Sequence, residues 1–315
     1  MPEPALTKER RDDPAAGAAL TEAAPKPEKA RSLWQDAWRN LRSNPLFLIS
    51  AVLILVLLTM VAFPGLFADG SPRDGDQAAH YLTEPNLGHL FANDWLGYDA
   101  HGRSVYVRVI HGARASVIAG IAVTLVVAVF GTIVGMLAGY FGGWLDSLLS
   151  RITDIFFGIP FLLGAMVVLT AVGERSLWMV ITALAILGWT QVARVARGSV
   201  LTVKQSDYVQ AAKALGASTW RILMRHVLPN AIAPVIVVAT VALGGYIGAE
   251  ATLSYLGLGL AEPAVSWGVD IDAGKDQLRN APHVLLFPAL MVSLTVLAFI
   301  MLGDAVRSAL DPKSR

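Results

Sequence analysis

The side chains best placed to meet another molecule lie in one short polar stretch: Gln210-Ala211-Ala212-Lys213-Ala214-Leu215-Gly216, then nine residues, then His226-Val227-Leu228-Pro229. An amide, a lysine and small alanines suit docking rather than bond-making. Bond-making has few candidates. The chain has no cysteine, which excludes disulfides, thiolate catalysis and cysteine-ligated metals. Ser254 follows Glu250 by one helical turn, but no histidine lies near it in sequence and no G-x-S-x-G occurs, so a serine protease is not indicated. No G-x-x-x-x-G-K-[ST] phosphate loop is present. His80, His89, His101 and His111 share one loop, but their spacing matches no compact ligand pattern; exposed loop histidines are the plainer reading.

The elements that must position the polar stretch are apolar. Of 315 residues, 55% are hydrophobic and only 16% charged, against about 25% charged in soluble domains. The chain is therefore read as an integral membrane protein. A net charge of +1 does not suggest a nucleic-acid surface. The hydrophilic, proline-bearing start does not resemble a cleavable signal peptide. Residues 1–30 read as a disordered tail. Trp34, Trp38 and Leu41 beside Arg31, Arg39 and Arg42 suggest an interfacial helix leading into the membrane.

A bilayer core needs about 20 apolar residues in a helix. Six stretches qualify, at about 46–67, 115–141, 155–173, 176–193, 227–249 and 284–303. The fold class is all-α, with six transmembrane helices. Residues 31–67 hold the interfacial helix and first span, 68–114 an extracytoplasmic loop, and 115–312 a five-helix core. Basic residues set the orientation. Arg39 and Arg42, the group from Arg194 to Arg225, and Arg307, Lys313 and Arg315 all fall on one side, expected to be cytoplasmic. Both termini are then cytoplasmic, and 251–283 lies outside.

Gly131, Gly135 and Gly139 form a small-residue ridge in the second span, and Gly244 and Gly248 another in the fifth. Both allow helix backbones to approach closely. Packing within one subunit is the plainer reading than a subunit interface.

Between the fourth and fifth spans, Asp207 and Gln210 are spaced as a capping box. Tyr208, Ala211, Ala212 and Leu215 then share one helical face. Gly216 is placed to end that helix with φ > 0. Ser218 can cap a second helix from Thr219, with Trp220, Leu223 and Met224 on one side and Arg221 and Arg225 on the other. Pro229 falls at the start of the fifth span, where a missing N–H is tolerated. On these grounds alone, segment 207–225 is either a docking element or a solvated connector on the headgroups.

The stretch resembles the cytoplasmic EAA loop of permease subunits in ATP-binding-cassette importers, with Ala211, Ala212, Gly216, Leu228 and Pro229 in matching places. Gln210 replaces the glutamate and His226 the aliphatic residue. Further segments are similar to the second, C-type permease of the dipeptide/oligopeptide/nickel branch: Leu96-Gly97-Tyr98-Asp99 with Gly102-Arg103, Gly142-Gly143-Trp144-Leu145-Asp146, Leu253-Ser254-Tyr255-Leu256-Gly257-Leu258-Gly259, and Ser266-Trp267-Gly268. The resemblance covers about residues 35–312. It implies one half of a translocation pathway in a bacterial or archaeal cell membrane, carrying di- or oligopeptides. It further implies a homologous second permease, two ATP-binding subunits holding ATP and Mg, and an extracytoplasmic peptide-binding protein. The ATPase-coupling residues would be Asp207, Gln210, Ala211, Ala212, Lys213, Leu215, Gly216, Arg221, Leu228 and Pro229. This chain itself would bind no cofactor or metal and catalyse nothing. Glu250 and Ser254 could form an outer gate or meet a peptide's amino terminus, although Glu250 could equally hydrate at the interface. Nickel or another small cargo is the alternative. A secondary transporter is the more distant one, since the halves show no convincing similarity and the spans lack central charges.

Overall fold

Where water is excluded, a backbone must satisfy its own N–H and C=O groups, and the long uncharged runs accordingly become long helices. The computed structural model describes Trp38, Arg39 and residues 41–310. The tail to residue 30, Arg31, Trp34, Lys313 and Arg315 lie outside the described residues. Trp38 and Arg39 are helical, as are Leu41, Arg42 and Ser43, and Trp38 meets Phe47 edge-on at 6.3 Å.

The helices, in chain order, are α1 (Pro45–Ala62), a short α2 (Gln77–His80), α3 (Val105–Phe141), α4 (Gly143–Phe157), α5 (Phe161–Val172), α6 (Leu177–Val203), α7 (Asp207–Ala214), α8 (Thr219–Ile222), α9 (Leu228–Tyr255), α10 (Trp267–Gly274) and α11 (His283–Leu310). Among the described residues there is no strand, only two isolated bridges in the outer loop. Short polar side chains start the spans. Asn44 Oδ1 accepts from the Leu46 N–H, Ser104 Oγ from Val107 and Ser176 Oγ from Met179, each satisfying an orphan helix donor.

The fourth span continues to Val203, ten residues past its expected end, and two other spans differ in start or shape. The second begins at Val105, ten residues before the expected start, because Ser104 caps it there. The charges of Arg108 and Arg114 obscured that start. The third is not one straight helix. Gly158-Ile159-Pro160 breaks it, and α4 and α5 meet at 84°. Proline lacks the N–H that would continue the ladder and disfavours helical geometry in the residue before it. Among the described residues, five helices are long and apolar enough to cross a bilayer, and the bent pair supplies the sixth crossing if counted as one.

The core lies where α3, α6 and α9 meet, around Val123, Val127, Val180, Leu184, Val192 and Leu253. The glycine ridge of α3 makes this possible. A Cβ on Gly131 would stand 2.8 Å from the Trp189 carbonyl oxygen, and one on Gly139 2.9 Å from that of Arg197. A Cβ on Gly135 would be closer still, 2.3 Å from the Ala193 carbonyl oxygen. This ridge packs within the subunit. In α9, a Cβ on Gly244 would stand 3.0 Å from the Val296 carbonyl oxygen of α11, but one on Gly248 would meet the Val296 side chain only at ordinary van der Waals distance, 3.8 Å.

Candidate coupling site

The segment between α6 and α9 is anchored by a small apolar cluster. Val209, Ile222, Leu223 and Val227 are buried against Met136 of α3, Val200 of α6 and Ala231 of α9. Ala212, Met224 and Leu228 pack at its edge. The helix–turn–helix therefore sits on the ends of three spans as one piece.

Capping differs by one residue from the spacing argument. Ser206, not Asp207, is the N-cap of α7, and Asp207 is its first residue. Gln210 does not reach back to the cap; its amide donates to the Lys204 carbonyl at 2.8 Å. That carbonyl belongs to the end of α6, so Gln210 fixes α7 against the preceding span. Asp207 still complements the N-terminal dipole of its helix. Gly216 closes α7 as expected, with φ +78°, while the Ala217 N–H donates to the Ala212 carbonyl at 3.1 Å. Ser218 caps α8 by accepting from the Arg221 N–H. Between α8 and α9 the chain takes a π turn over Leu223–Val227, with the Leu228 N–H donating to the Leu223 carbonyl. Pro229 then occupies the first turn of α9.

The outward face is more apolar than a solvated connector requires. Leu215 is 87% exposed and Trp220 68%, with Tyr208 and Ala211 exposed beside them. Of the expected face only Ala212 turns partly inward, and of the second stripe Leu223 is buried while Trp220 points away. Sequence reasoning missed the anchors Val209 and Ile222, whose only mark was being aliphatic on the opposite face. Lys213 lies 5.5 Å from the Tyr140 ring, and Arg221 and Arg225 are exposed.

Polar ties hold the adjoining elements. Lys204 Nζ donates to the Gly139 carbonyl at 2.6 Å, placing a cation at the C-terminus of α3. Arg197 grips Asp146 of α4 with two bonds, at 2.6 and 2.7 Å. Arg194 pairs with Asp154 and stacks over Phe157.

At the opposite end, the motif residue Arg103, paired with Asp99, meets Glu262, 159 positions later and between two further motif segments. Arg103 Nε donates to Asp99 at 2.7 Å and its Nη1 to Glu262 at 2.7 Å. Arg108 pairs with Asp270, and Trp267, fully buried, donates its indole N–H to the Val109 carbonyl at 2.8 Å. These bonds fasten the outer loop to the segment after α9. Glu250 is not at a hydrated surface: it is fully buried, and its Oε1 accepts from Ser254 Oγ at 3.0 Å. Ser254 Oγ in turn accepts from the Leu260 N–H, so this pair holds the turn after α9. Three of the four histidines lie in the outer loop, whereas His111 falls within α3, and each has a local role. His80 stacks on Tyr98, His89 meets Asp94, His101 meets Arg103, and His111 bonds the Val107 carbonyl. Among the described residues no group of three or more His, Asp or Glu side chains is placed to hold a metal.

Comparison with known proteins agrees with this architecture. Residues 131–315 match the family described as binding-protein-dependent transport system inner membrane component, and residues 32–85 match the N-terminal TM domain of oligopeptide transport permease C. The glutathione transport system permease protein GsiD of Pectobacterium atrosepticum is 38% identical over 290 residues, covering 91% of this chain and 93% of that protein. The dipeptide transport system permease protein DppC of Bacillus subtilis is 40% identical over 285 residues, covering 90% and 87%. Among solved structures, an inward-facing MetNI methionine ABC transporter chain superposes with a TM-score of 0.53 at 21% identity, covering 64% of this chain and 96% of that one, which speaks for the fold. With a helix–glycine–helix element seated on the ends of its spans, the chain belongs to the inner-membrane permease components of binding-protein-dependent ABC importers.

Proposed function

We propose that this permease imports short peptides, glutathione-like tripeptides and dipeptides included, as one half of a two-permease membrane core. Two cytoplasmic ATPases, which hold ATP and Mg, bind beneath it, and an extracytoplasmic binding protein delivers cargo at the outer loops. The peptide cargo is supported by relatives that are named as glutathione and dipeptide permeases. Those relatives do not favour nickel.

The observation that carries the coupling role is the division of segment 207–225 into a buried anchor and an exposed apolar face. Val209 and Ile222 are at most 2% exposed, whereas Leu215 and Trp220 stand outward. An exposed leucine and tryptophan on a rigid support fit a protein partner better than headgroups alone. ATP-driven closure of the ATPases would push this element as a unit. Its anchors on α3, α6 and α9 would carry the motion into the membrane and switch the pathway between inward- and outward-facing states. Both termini and the 207–225 element are then cytoplasmic, and the 68–104 loop is extracytoplasmic.

Reconstitution tests the reading. The complete complex in liposomes, with a loaded binding protein, is expected to take up labelled dipeptide or glutathione only with ATP. Import by this chain alone would point to a secondary transporter, and uptake of nickel without peptide would overturn the cargo.

A further inference from the structure

Gln191 stands near the middle of α6, fourteen residues after its start, or about 21 Å along the helix. It is exposed, and among the described residues it has no hydrogen-bond partner. Hydroxyls elsewhere on α6 and α9 satisfy themselves on their own helix: Thr182 donates to the Trp178 carbonyl, Thr240 to Ile236 and Thr252 to Gly248, each at 2.8 Å. A primary amide has two donors and an acceptor oxygen with two lone pairs. Facing hydrocarbon, those groups would be left unsatisfied.

The neighbouring helices do not cover it. The glycine ridge of α3 takes the face of α6 that carries Trp189, Ala193 and Arg197, and Tyr246 of α9 packs at Gly188. Gln191 lies on a third face, where two cavities meet. One, of about 660 Å³, runs past Val195, Pro234 and Val238 toward Asp304 and Arg307. The other, of about 720 Å³, is lined by Thr190, Gly245, Tyr246, Gly248 and Thr252 as well as Gln191. Both fall within the roughly 300–1,000 Å³ typical of small-molecule sites. Gly245 widens the second: nothing lies within 4 Å of where its Cβ would stand.

We propose that Gln191 lines the translocation pathway and hydrogen-bonds the backbone amides of a peptide in transit. This rests on the peptide reading above. An amide is complementary to a peptide bond in both directions, donor to carbonyl and carbonyl to N–H. The second cavity has no charged side chain in its lining, so it holds neither peptide terminus nor a charged side chain by ion pairing. Such a surface accepts many peptides and binds none tightly, which transit requires.

The chain has no cysteine, so Gln191→Cys can be read cleanly in the complete complex in proteoliposomes, with a cysteine-free partner set. A hydrophilic, membrane-impermeant thiol reagent supplied on the face to which the pathway is open is the probe, and Leu55→Cys on α1, 66% exposed, is the lipid-facing control. The expected result is faster labelling at 191 than at 55, slowed when dipeptide is imported during labelling. Import by Gln191→Leu should fall about threefold to tenfold, as loss of one hydrogen bond predicts, and Gln191→Asn should recover part of it. Labelling no faster than at position 55 would overturn the pathway assignment, as would labelling seen only after the permease pair is dissociated, which would place Gln191 at the subunit interface. Rapid labelling without peptide protection, in a complex that does import peptide, would overturn the hydrogen-bonding role. Rapid labelling in a complex that imports no peptide would leave Gln191 in the pathway and count against the cargo reading alone.

Discussion

Replacing Gly216 by valine tests whether the α7–α8 element must be rigid to couple. Gly216 holds φ +78°, and nothing lies within 4 Å of where a Cβ would stand. The penalty is therefore one of backbone conformation, not of crowding. A left-handed conformation costs an L-residue about 1–2 kcal/mol, and a β-branched side chain brings it toward the upper end of the ~1–3 kcal/mol range for strained sites. At about 1.4 kcal/mol per tenfold, that shifts the population of the native turn by roughly fivefold to a hundredfold. The shift should be local, because Val209 and Ile222 still anchor both helices. The mutant is expected to insert and assemble, yet its complex should show weak stimulation of ATP hydrolysis by loaded binding protein. Asparagine, which tolerates φ > 0, should lose least, alanine more and valine most. Stimulation and uptake at the wild-type level in the valine variant would refute the reasoning.

Three further outcomes follow from the geometry. Gly131→Ala should destabilise the α3–α6 pair by about 1–3 kcal/mol, since its Cβ would meet backbone at 2.8 Å, whereas Gly198→Ala, with open space around it, should be neutral or stabilising in a thermal melt. Burial pushes Glu262 up, but the Arg103 hydrogen bond and the Arg103 and Arg108 charges outweigh it and hold the carboxyl below its usual range. That stabilisation is present above about pH 4.3 and lost as pH falls through the lowered value. Hydrogen-exchange protection in the 68–104 loop, taken relative to the intrinsic amide rate at each pH, should accordingly fall in acid, and less steeply in Glu262→Gln. For orientation, an impermeant thiol reagent on intact cells should label Leu90→Cys, 64% exposed, but not Gln205→Cys, and the opposite pattern would invert the topology.

The sequence was most legible where physics is local. Five long apolar runs became helices, Gly216 took the predicted left-handed conformation, and Ser218 capped the helix expected of it. The α3 glycines packed within the subunit, as their spacing allowed. The bend at Gly158-Ile159-Pro160 was legible in principle, but hydropathy averaged across it. Other features depend on which distant elements meet. Arg103 and Glu262 are 159 positions apart, and nothing in either segment specifies the pairing. Glu250 looked like an interfacial carboxylate because a single sequence places it near a helix end, while its burial arises from loops that fold back over it. Gln191 was overlooked because a lone amide barely lowers the hydropathy of a span.

The central claim is that the outward face of the 207–225 element holds the ATPases. Ala211 and Leu215 lie on that face, with Leu215 87% exposed, so carboxylates there should leave the fold intact. At a docked interface each would be an unpaired charge, costing several kcal/mol if buried. Affinity purification of the Ala211→Glu, Leu215→Glu double mutant from detergent measures this directly. The account predicts that the partner permease co-purifies in normal amount while the ATPases are lost. ATPases retained at wild-type stoichiometry would contradict it.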